Sequence, residues 1–127
     1  MKNKVSIMPP DTNKERRRAP RVIKQIPLKI RHMEREIVAD TINISSLGAY
    51  CTIDKYIPPF SILSIVLLLP LRSKRKKHVY NIHCEGVVVR TEENPVESKD
   101  WNVAIYFRKI KHTDRAKLAE YVQQHLK

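Results

Sequence analysis

Four arginines lie close together near the N-terminus, within the stretch ERRRAPR. Arg17 and Arg21 are four residues apart with Pro20 between them, and Arg16 and Arg18 flank the first of the pair. Arginine presents a planar fork of donors that pairs two-pronged with phosphate oxygens or with the O6/N7 edge of guanine. Because proline disfavours helix at the preceding residue, we expect an extended or turn-like segment that aims several guanidinium groups at one place.

A second polar cluster occurs in NISSLGAY, where Asn43, Ser45 and Gly48 are spaced as N-x-S-x-x-G. Short Asn and Ser side chains bond neighbouring backbone groups and stabilise turns, and glycine supplies a position that can adopt positive φ. The chain has only 2 glycines, so this one is not filler. Taken alone, this stretch is typical of a polar hairpin turn, and the arginine stretch is typical of a solvated basic tail.

The charge balance of the 127 residues indicates an anionic partner. Lys and Arg total 25 against 13 Asp and Glu, which gives a formal net charge of +12 and a pI near 10.0. A positive field of this size attracts nucleic acid, an acidic membrane surface or a phosphorylated ligand, and the field alone does not choose among them. The length fits one domain with one core.

Catalytic and metal-binding patterns are missing from the sequence. The 5 histidines have no metal-site spacing, and there is no G-x-S-x-G elbow or glycine-rich phosphate loop. Cys51 and Cys84 match no zinc site or redox pair, so we expect two buried thiols in a reducing compartment, with a cross-strand disulfide as the alternative. These patterns predict a protein that is not an enzyme and carries no metal or resident cofactor.

The N-terminal stretch has no apolar run long enough for a signal peptide, and the most apolar run, Ile62–Leu69, is too short to span a bilayer as a helix. We therefore expect a cytoplasmic protein without a transmembrane segment. Residues 1–13 are polar and predict a mobile arm, which leaves residues 14–127 as the folded domain.

Alternating apolar and polar residues predict antiparallel strands in IPLKIRH, EIVADTINIS, AYCTI, VYNIHCEGVVVR and WNVAIYFR. Imperfect alternation around Asp40 suggests a bulge. The run Ile62–Leu69 predicts a further strand that is buried on both faces and ends at Pro70. The basic loop RSKRKK after it is typical of solvated charge, although a nucleic acid, a membrane surface or an acidic partner would also fit it.

The C-terminal stretch changes to helical spacing. Leu118, Val122 and Leu126 recur at that spacing, and Thr113 is the expected N-cap. Several antiparallel strands followed by one covering helix favour an all-β domain closed into a small barrel.

The R-x-x-x-R segment followed by N-x-S-x-x-G resembles the PilZ domain, the bacterial receptor module for cyclic di-GMP. The resemblance covers most of the chain and includes DTINISSLGAY, GVVVR, WNVAIYF and the closing DRAKLAEYV. It implies a six-stranded antiparallel β-barrel with a C-terminal helix, in which the arginine segment folds over the ligand and the second motif forms the opposite wall.

The resemblance also implies site residues. Arg17 and Arg21 would contact guanine and phosphate groups, Asn43 and Ser45 would hydrogen-bond the guanine edge or phosphate, and Gly48 would keep the turn tight. Neither motif assigns the two flanking arginines, although both are placed to add phosphate or stacking contacts.

Two positions depart from the family pattern: Asn43 replaces a frequent aspartate, and Asn102 stands where glycine is common. Neither change removes the proposed site. Asparagine tolerates unusual backbone angles better than most residues, so we expect the strand to survive Asn102, and the Asn43 amide still gives and takes hydrogen bonds.

We therefore expect a cyclic di-GMP receptor that reorders its arm and acts through a protein partner in motility, biofilm formation or secretion. The alternative is a basic β-barrel that binds single-stranded nucleic acid, and an aromatic content of only 6% argues against it. A third possibility is a PilZ-like domain that works only through protein contacts, and the retention of both motifs argues against that.

Overall fold

The computed structural model describes residues 19–126, which form six β-strands and one α-helix. The strands are β1 (Pro27–His32), β2 (Arg35–Ile44), β3 (Gly48–Ile53), β4 (Ile62–Ser73), β5 (Lys76–Glu93) and β6 (Trp101–Ile110), and the helix α1 spans His112–His125. The expected fold, an antiparallel six-stranded sheet followed by a C-terminal helix, is confirmed. The predicted arm, residues 1–13, lies outside the described residues, so the domain boundary at residue 14 remains a prediction.

The strands close into a barrel in the order β1-β2-β3-β6-β5-β4, because β1 pairs with both β2 and β4. All six pairings are antiparallel. Closure leaves no open edge along the paired parts of the strands. The sheet can therefore carry a ligand site on its outer surface while its inner surface forms the core.

The core is built from alternate residues of every strand, as the period of two requires. Ile30, Leu67, Ile82 and Phe107 are each fully buried inside the barrel. Burying a side chain of this size contributes about 1.5–3 kcal/mol, so the inner rows are the main source of stability.

Both cysteines are free thiols on different strands, Cys51 buried and Cys84 partly buried. Burial raises the pKa of each thiol to about 12, and for Cys84 this effect exceeds the opposing attraction of the Arg115 charge. Both thiols therefore stay protonated near neutral pH.

The run Ile62–Leu69 differs from expectation. Its burial alternates, with Leu63, Leu67 and Leu69 inside and Ile62 and Leu68 exposed by 46% and 40%. The prediction of a strand buried on both faces was wrong, because a continuous apolar run hides which residues face out. The strand also continues through Pro70 to Ser73.

The helix begins two residues earlier than the sequence suggested. Lys111 is the N-cap and makes no side-chain capping hydrogen bond, so the expectation of Thr113 as the cap was wrong. Leu118 and Val122 are buried as expected, but the third buried residue is Tyr121, because Leu126 already lies at the C-cap. The helix is thus held by packing on β4 rather than by its N-cap.

Candidate ligand-binding site

The segment that follows the arginine cluster is fixed along the edge of β2 that also pairs with β1. Val22 exchanges two backbone hydrogen bonds with Ile44, each 3.0 Å long. Further along, the Ile26 amide donates to the Thr41 hydroxyl at 2.8 Å, and that hydroxyl donates to the Lys24 carbonyl at 2.5 Å. Val22 and Ile26 are buried. These anchors place the preceding residue, Arg21, beside the end of β2.

Arg21 and Asn43 meet at this end. The Nη1 atom of Arg21 donates to Oδ1 of Asn43 at 2.8 Å, across 22 positions of sequence. A shift of register in the β2–β3 ladder between Thr41 and Asn43 gives the bulge that imperfect alternation near Asp40 suggested. A bulge re-aims the side chain that follows it, which accounts for the position of the Asn43 amide.

The other three arginines of the cluster, Arg16, Arg17 and Arg18, lie outside the described residues. Their predicted ligand contacts stay predictions. Of the residues between Arg18 and Arg21, Ala19 is buried and Pro20 is partly buried.

Ser45 lies inside the turn between β2 and β3. Its side chain is buried, and its hydroxyl oxygen accepts the amide protons of Leu47 at 3.1 Å and Gly48 at 3.2 Å. The backbone amide of Ser45 also donates to the Gly48 carbonyl at 2.9 Å. In this structure the hydroxyl thus shapes the turn, and its predicted contact with a ligand remains a prediction.

Gly48 is required for space rather than for its backbone angle. Neither glycine has positive φ, so the expectation of a left-handed conformation was wrong. A Cβ added at position 48 would lie 2.2 Å from the carbonyl oxygen of Ile105 on β6. Glycine therefore lets the turn approach β6 closely, which fits its predicted role in keeping the turn tight.

Arg115 on α1 also fixes the turn, a role that no sequence pattern predicted. Its Nη1 atom donates to the Ser46 carbonyl at 3.0 Å, and its Nη2 atom donates to the Phe107 carbonyl at 3.2 Å. The Phe107 amide in turn donates to the Leu47 carbonyl at 2.8 Å. Helix, β6 and turn are thus joined at one point, which holds the N-x-S-x-x-G motif in place.

A row of outward-facing residues continues from Asn43 across the barrel. Asn43 pairs with Tyr50 on β3, Tyr50 with Ala104 on β6, and Ala104 with Arg90 on β5. Three strand spacings separate the ends of the row, about 14 Å in all. The small side chain of Ala104 leaves the middle of the row low, so the row forms a shallow floor between two arginines.

The far end of the row is a hydrogen-bonded cluster. The Tyr50 hydroxyl donates to Glu92 at 3.1 Å, and Nε of Arg90 lies 3.2 Å from the same carboxylate. The Arg90 guanidinium lies 6.0 Å from the centre of the Tyr50 ring. Both charged side chains are about half exposed, so the ion pair contributes little to stability and its arginine can be given up to another anion.

The arrangement offers cationic forks at both ends and an aromatic face between them. It suits a ligand with phosphate groups and flat bases. The sequence reasoning missed Tyr50 and Arg90 as site residues. Alternation in AYCTI places Tyr50 on the outer surface. In GVVVR, strict alternation from the buried Val88 would turn Arg90 inward, and it is the register shift between Val88 and Arg90 that turns Arg90 outward. Only the strand order shows that β3 and β5 flank β6.

Within residues 19–126, no three His, Cys, Asp or Glu side chains are grouped so as to hold a metal ion. In the same part of the chain, no helix has the length and apolar character needed to cross a membrane.

Comparison with known proteins places this arrangement in a family. The family model described as the PilZ domain matches residues 15–124. Among solved structures, the inhibitor of motility of Bacillus subtilis (MotI/DgrA) is similar with a TM-score of 0.75 and 22% identity, over 86% of this chain and 50% of that chain. This chain thus spans about half the length of that protein.

A second similar structure is the PilZ domain of YcgR from Escherichia coli, determined with c-di-GMP. Its TM-score is 0.57 at 10% identity, over 87% of this chain and 91% of that chain. At these identities the likeness shows a shared fold. A comparison with curated protein sequences finds no match.

Proposed function

This chain belongs to the PilZ domain family, and from that premise we propose that it is a receptor for cyclic di-GMP. The observation that carries the proposal is the 2.8 Å contact between Arg21 and Asn43, which joins the two motifs across the fold. That contact supports a site built from both motifs. If the arginine segment were only a solvated basic tail, Arg21 would have no reason to lie against Asn43.

The ligand carries two phosphodiester charges and two guanines, and the proposed residues answer both features. Arg17 and Arg21 bind phosphate and guanine edges, with Arg16 and Arg18 adding contacts from the same segment. Asn43 and Ser45 supply amide and hydroxyl groups on the barrel side. A charge-assisted hydrogen bond contributes about 1.5–3 kcal/mol. Several such hydrogen bonds, after the free-energy cost of ordering the arm is subtracted, give a binding free energy on the order of −8 to −12 kcal/mol, which corresponds to a micromolar to nanomolar dissociation constant.

We extend the proposed site along the row to Tyr50 and Arg90. The Tyr50 ring provides a surface on which a guanine stacks, and Arg90 exchanges Glu92 for a phosphate oxygen or a guanine edge. The ion pair between Arg90 and Glu92 supports this, because it is half exposed and Arg90 can exchange its partner. The row length of about 14 Å also supports it, because the ligand has to reach across more than one strand.

Ligand binding orders residues 1–13 with the arginine segment, and the ordered arm is the signal that a protein partner reads in the cytoplasm. On this proposal the domain is a binding module and not an enzyme. Motility, biofilm formation and secretion are the processes in which such a partner would act.

Calorimetric titration with cyclic di-GMP tests the proposal. The parent protein binds saturably, and Arg17→Ala and Arg21→Ala each lose at least tenfold in affinity, about 1.4 kcal/mol. Arg90→Ala loses affinity as well, by a smaller factor, since Arg90 must first leave Glu92.

Arg31→Ala is the matched control. It removes the same charge from the exposed face of β1, where Arg31 pairs with Glu36 at the end of β2 remote from Asn43. Its affinity stays within about twofold of the parent, because surface charges at this distance are largely screened. Equal affinity in the parent, Arg17→Ala and Arg21→Ala would rule out the proposed contacts.

A further inference from the structure

Strands β4 and β5 extend beyond the barrel as a two-stranded ribbon. The ladder between β1 and β4 ends at Leu28↔Leu67, and the ladder between β5 and β6 ends at Cys84↔Ile110. From there, Leu68–Ser73 and Lys76–Asn81 pair with each other. We call these two stretches, with the turn between them, the ribbon. Its turn is two residues long, with Lys74 at φ 57°, so the tip is tight and well defined.

One face of the ribbon is covered by α1 and the other is open. Leu69 and Leu71 are buried on the covered face, and Nε2 of Gln124 donates to the Arg72 carbonyl at 2.7 Å. On the open face Leu68 is 40% exposed and Val79 is 60% exposed. The ribbon is therefore held rigidly by the helix while it presents aliphatic side chains to the exterior.

The open face and the tip are also strongly basic. Five cationic side chains occupy positions 72–77, and all are exposed: Arg72, Lys74, Arg75, Lys76 and Lys77. The sequence between Asp54 and Glu85 contains no acidic residue, so nothing on either strand of the ribbon opposes this charge. Beside the tip, a cavity of about 670 Å³ is lined by Lys24, Arg72, Lys74, Lys77, Gln124 and His125, among others.

We propose that the ribbon docks on a membrane surface that carries anionic phospholipids. Basic residues near such a surface are attracted to its headgroups, and adjacent aliphatic side chains enter the boundary between headgroups and acyl chains. Arg72 and Lys77 are cross-strand partners, as are Pro70 and Val79, so cations and apolar side chains share the open face.

The side chains beside the cations favour lipid over nucleic acid. Leu68 and Val79 are aliphatic and offer no ring on which a base would stack. The two rings of the ribbon, His78 and Tyr80, pair with Leu71 and Leu69 and therefore lie on the covered face, 5.3 Å apart. There the ammonium of Lys117 lies 5.1 Å from the Tyr80 ring centre. The cations at the tight tip point in several directions. A membrane surface can bind all of them, because its headgroups rearrange around the cations.

Co-sedimentation with lipid vesicles tests the inference. The full chain binds vesicles of phosphatidylglycerol mixed with phosphatidylcholine and does not bind vesicles of phosphatidylcholine alone. Arg75→Glu combined with Lys76→Glu weakens binding at least tenfold, since each basic residue at an anionic surface is worth about fivefold, or about 1 kcal/mol. Both side chains are exposed and neither lies in the core, so the variant folds; an unchanged unfolding midpoint checks this.

The matched control is Lys55→Glu combined with Lys99→Glu. It changes the net charge equally, but at exposed loop positions beside the Ile53↔Trp101 end of the barrel, far along β5 from the tip. Its vesicle binding stays within about twofold of the parent if the ribbon is the docking surface. Equal losses in both double variants would overturn the inference, as would tight binding to a single-stranded oligonucleotide without binding to the anionic vesicles.

The inference stands apart from cyclic di-GMP binding. Arg21→Ala leaves vesicle binding unchanged, and the ribbon variant leaves calorimetric titration with cyclic di-GMP unchanged. Loss of vesicle binding in Arg21→Ala would assign the lipid contact to the arginine segment instead and overturn the role of the ribbon.

Discussion

Gly48 and Gly86 are both buried, but a methyl group would meet different neighbours at the two positions. At Gly48 the nearest atom is the backbone carbonyl oxygen of Ile105, at 2.2 Å from an added Cβ. At Gly86 the nearest atoms are side-chain methyl groups of Ile105 and Ile65, at 2.7 and 2.8 Å. Side-chain ends can shift by changing rotamer, whereas a carbonyl held in the β3–β6 ladder cannot.

Gly48→Ala is therefore more destabilising than Gly86→Ala. We expect the first to cost at least about 2 kcal/mol and the second about 1 kcal/mol, within the range for overpacking a core. Urea unfolding of the two variants beside the parent measures the difference. Because Gly48 also holds the turn that carries Ser45, its variant should bind cyclic di-GMP more weakly than Gly86→Ala does. Equal losses of stability at the two positions would show that the Ile105 backbone on β6 shifts as easily as a side chain does.

Asn102 illustrates how a departure from the family pattern is compensated at the level of one residue. Its side chain is buried, and its Oδ1 atom accepts hydrogen bonds from the Thr52 hydroxyl and the Asn94 amide, each 2.9 Å long. The polar group is satisfied, so the strand tolerates it. We predicted from sequence that the strand tolerates Asn102, but for a different reason, the backbone freedom of asparagine. The two donors could not be predicted, because they come from β3 and from the loop before β6.

Among the elements, α1 has two functions that depend on different side chains. It covers the barrel with Leu118, Tyr121 and Val122, and it holds the β2–β3 turn through Arg115. The second function couples the helix to the candidate site without any contact between the helix and a ligand. A change at Arg115 should thus be felt at Ser45 and Gly48.

Arg115→Gln tests this coupling. Two charged hydrogen bonds to carbonyls are lost or weakened, and the expected cost is about 1.5–3 kcal/mol in unfolding free energy. Hydrogen exchange of the Leu47 and Gly48 amides should accelerate beyond what global destabilisation explains. Lys111→Ala is the control, because Lys111 is exposed and its side chain caps no backbone group of the helix. If turn amides exchanged equally fast in both variants, Arg115 would not be the residue that fixes the turn.

The elements were predictable from sequence to the extent that their residues alternate. WNVAIYFR alternates apart from the buried Asn102, and β6 was predicted from its first residue, although it continues two residues beyond Arg108, to Ile110. Ile62–Leu69 does not alternate, so neither its outward face nor its extension to Ser73 was recognised. The helix start was misplaced because a threonine suggested a cap that the backbone does not use. The row from Asn43 to Arg90 depends on strand order, which no local pattern contains.

Within residues 19–126, cationic side chains form clusters on two separate surfaces. One is the candidate ligand site, with Arg21 and Arg90 at its ends, and the other is the ribbon at positions 72–77. They differ in kind, because the site combines arginine forks with a tyrosine ring, and the ribbon combines lysines and arginines with aliphatic side chains. The net charge of +12 therefore does not describe one extended anion-binding face.

This division predicts how ligand binding responds to salt. If the site alone contacts cyclic di-GMP, two phosphates are neutralised, and the logarithm of the association constant falls with log salt with a slope no steeper than about −1.4. A nucleic-acid strand that used both surfaces would meet about six or more phosphates and give a slope of about −4 or steeper.

Calorimetric titrations with cyclic di-GMP at several sodium chloride concentrations measure that slope. The parent and the ribbon variant Arg75→Glu with Lys76→Glu should give the same shallow line, since the ribbon lies outside the site. A single-stranded oligonucleotide titrated under the same conditions is the reference. The contrary outcome has three parts: the oligonucleotide binds more tightly than cyclic di-GMP, its slope is steep, and the ribbon variant makes that slope shallower. The barrel would then be a nucleic-acid-binding protein whose two charged surfaces act as one.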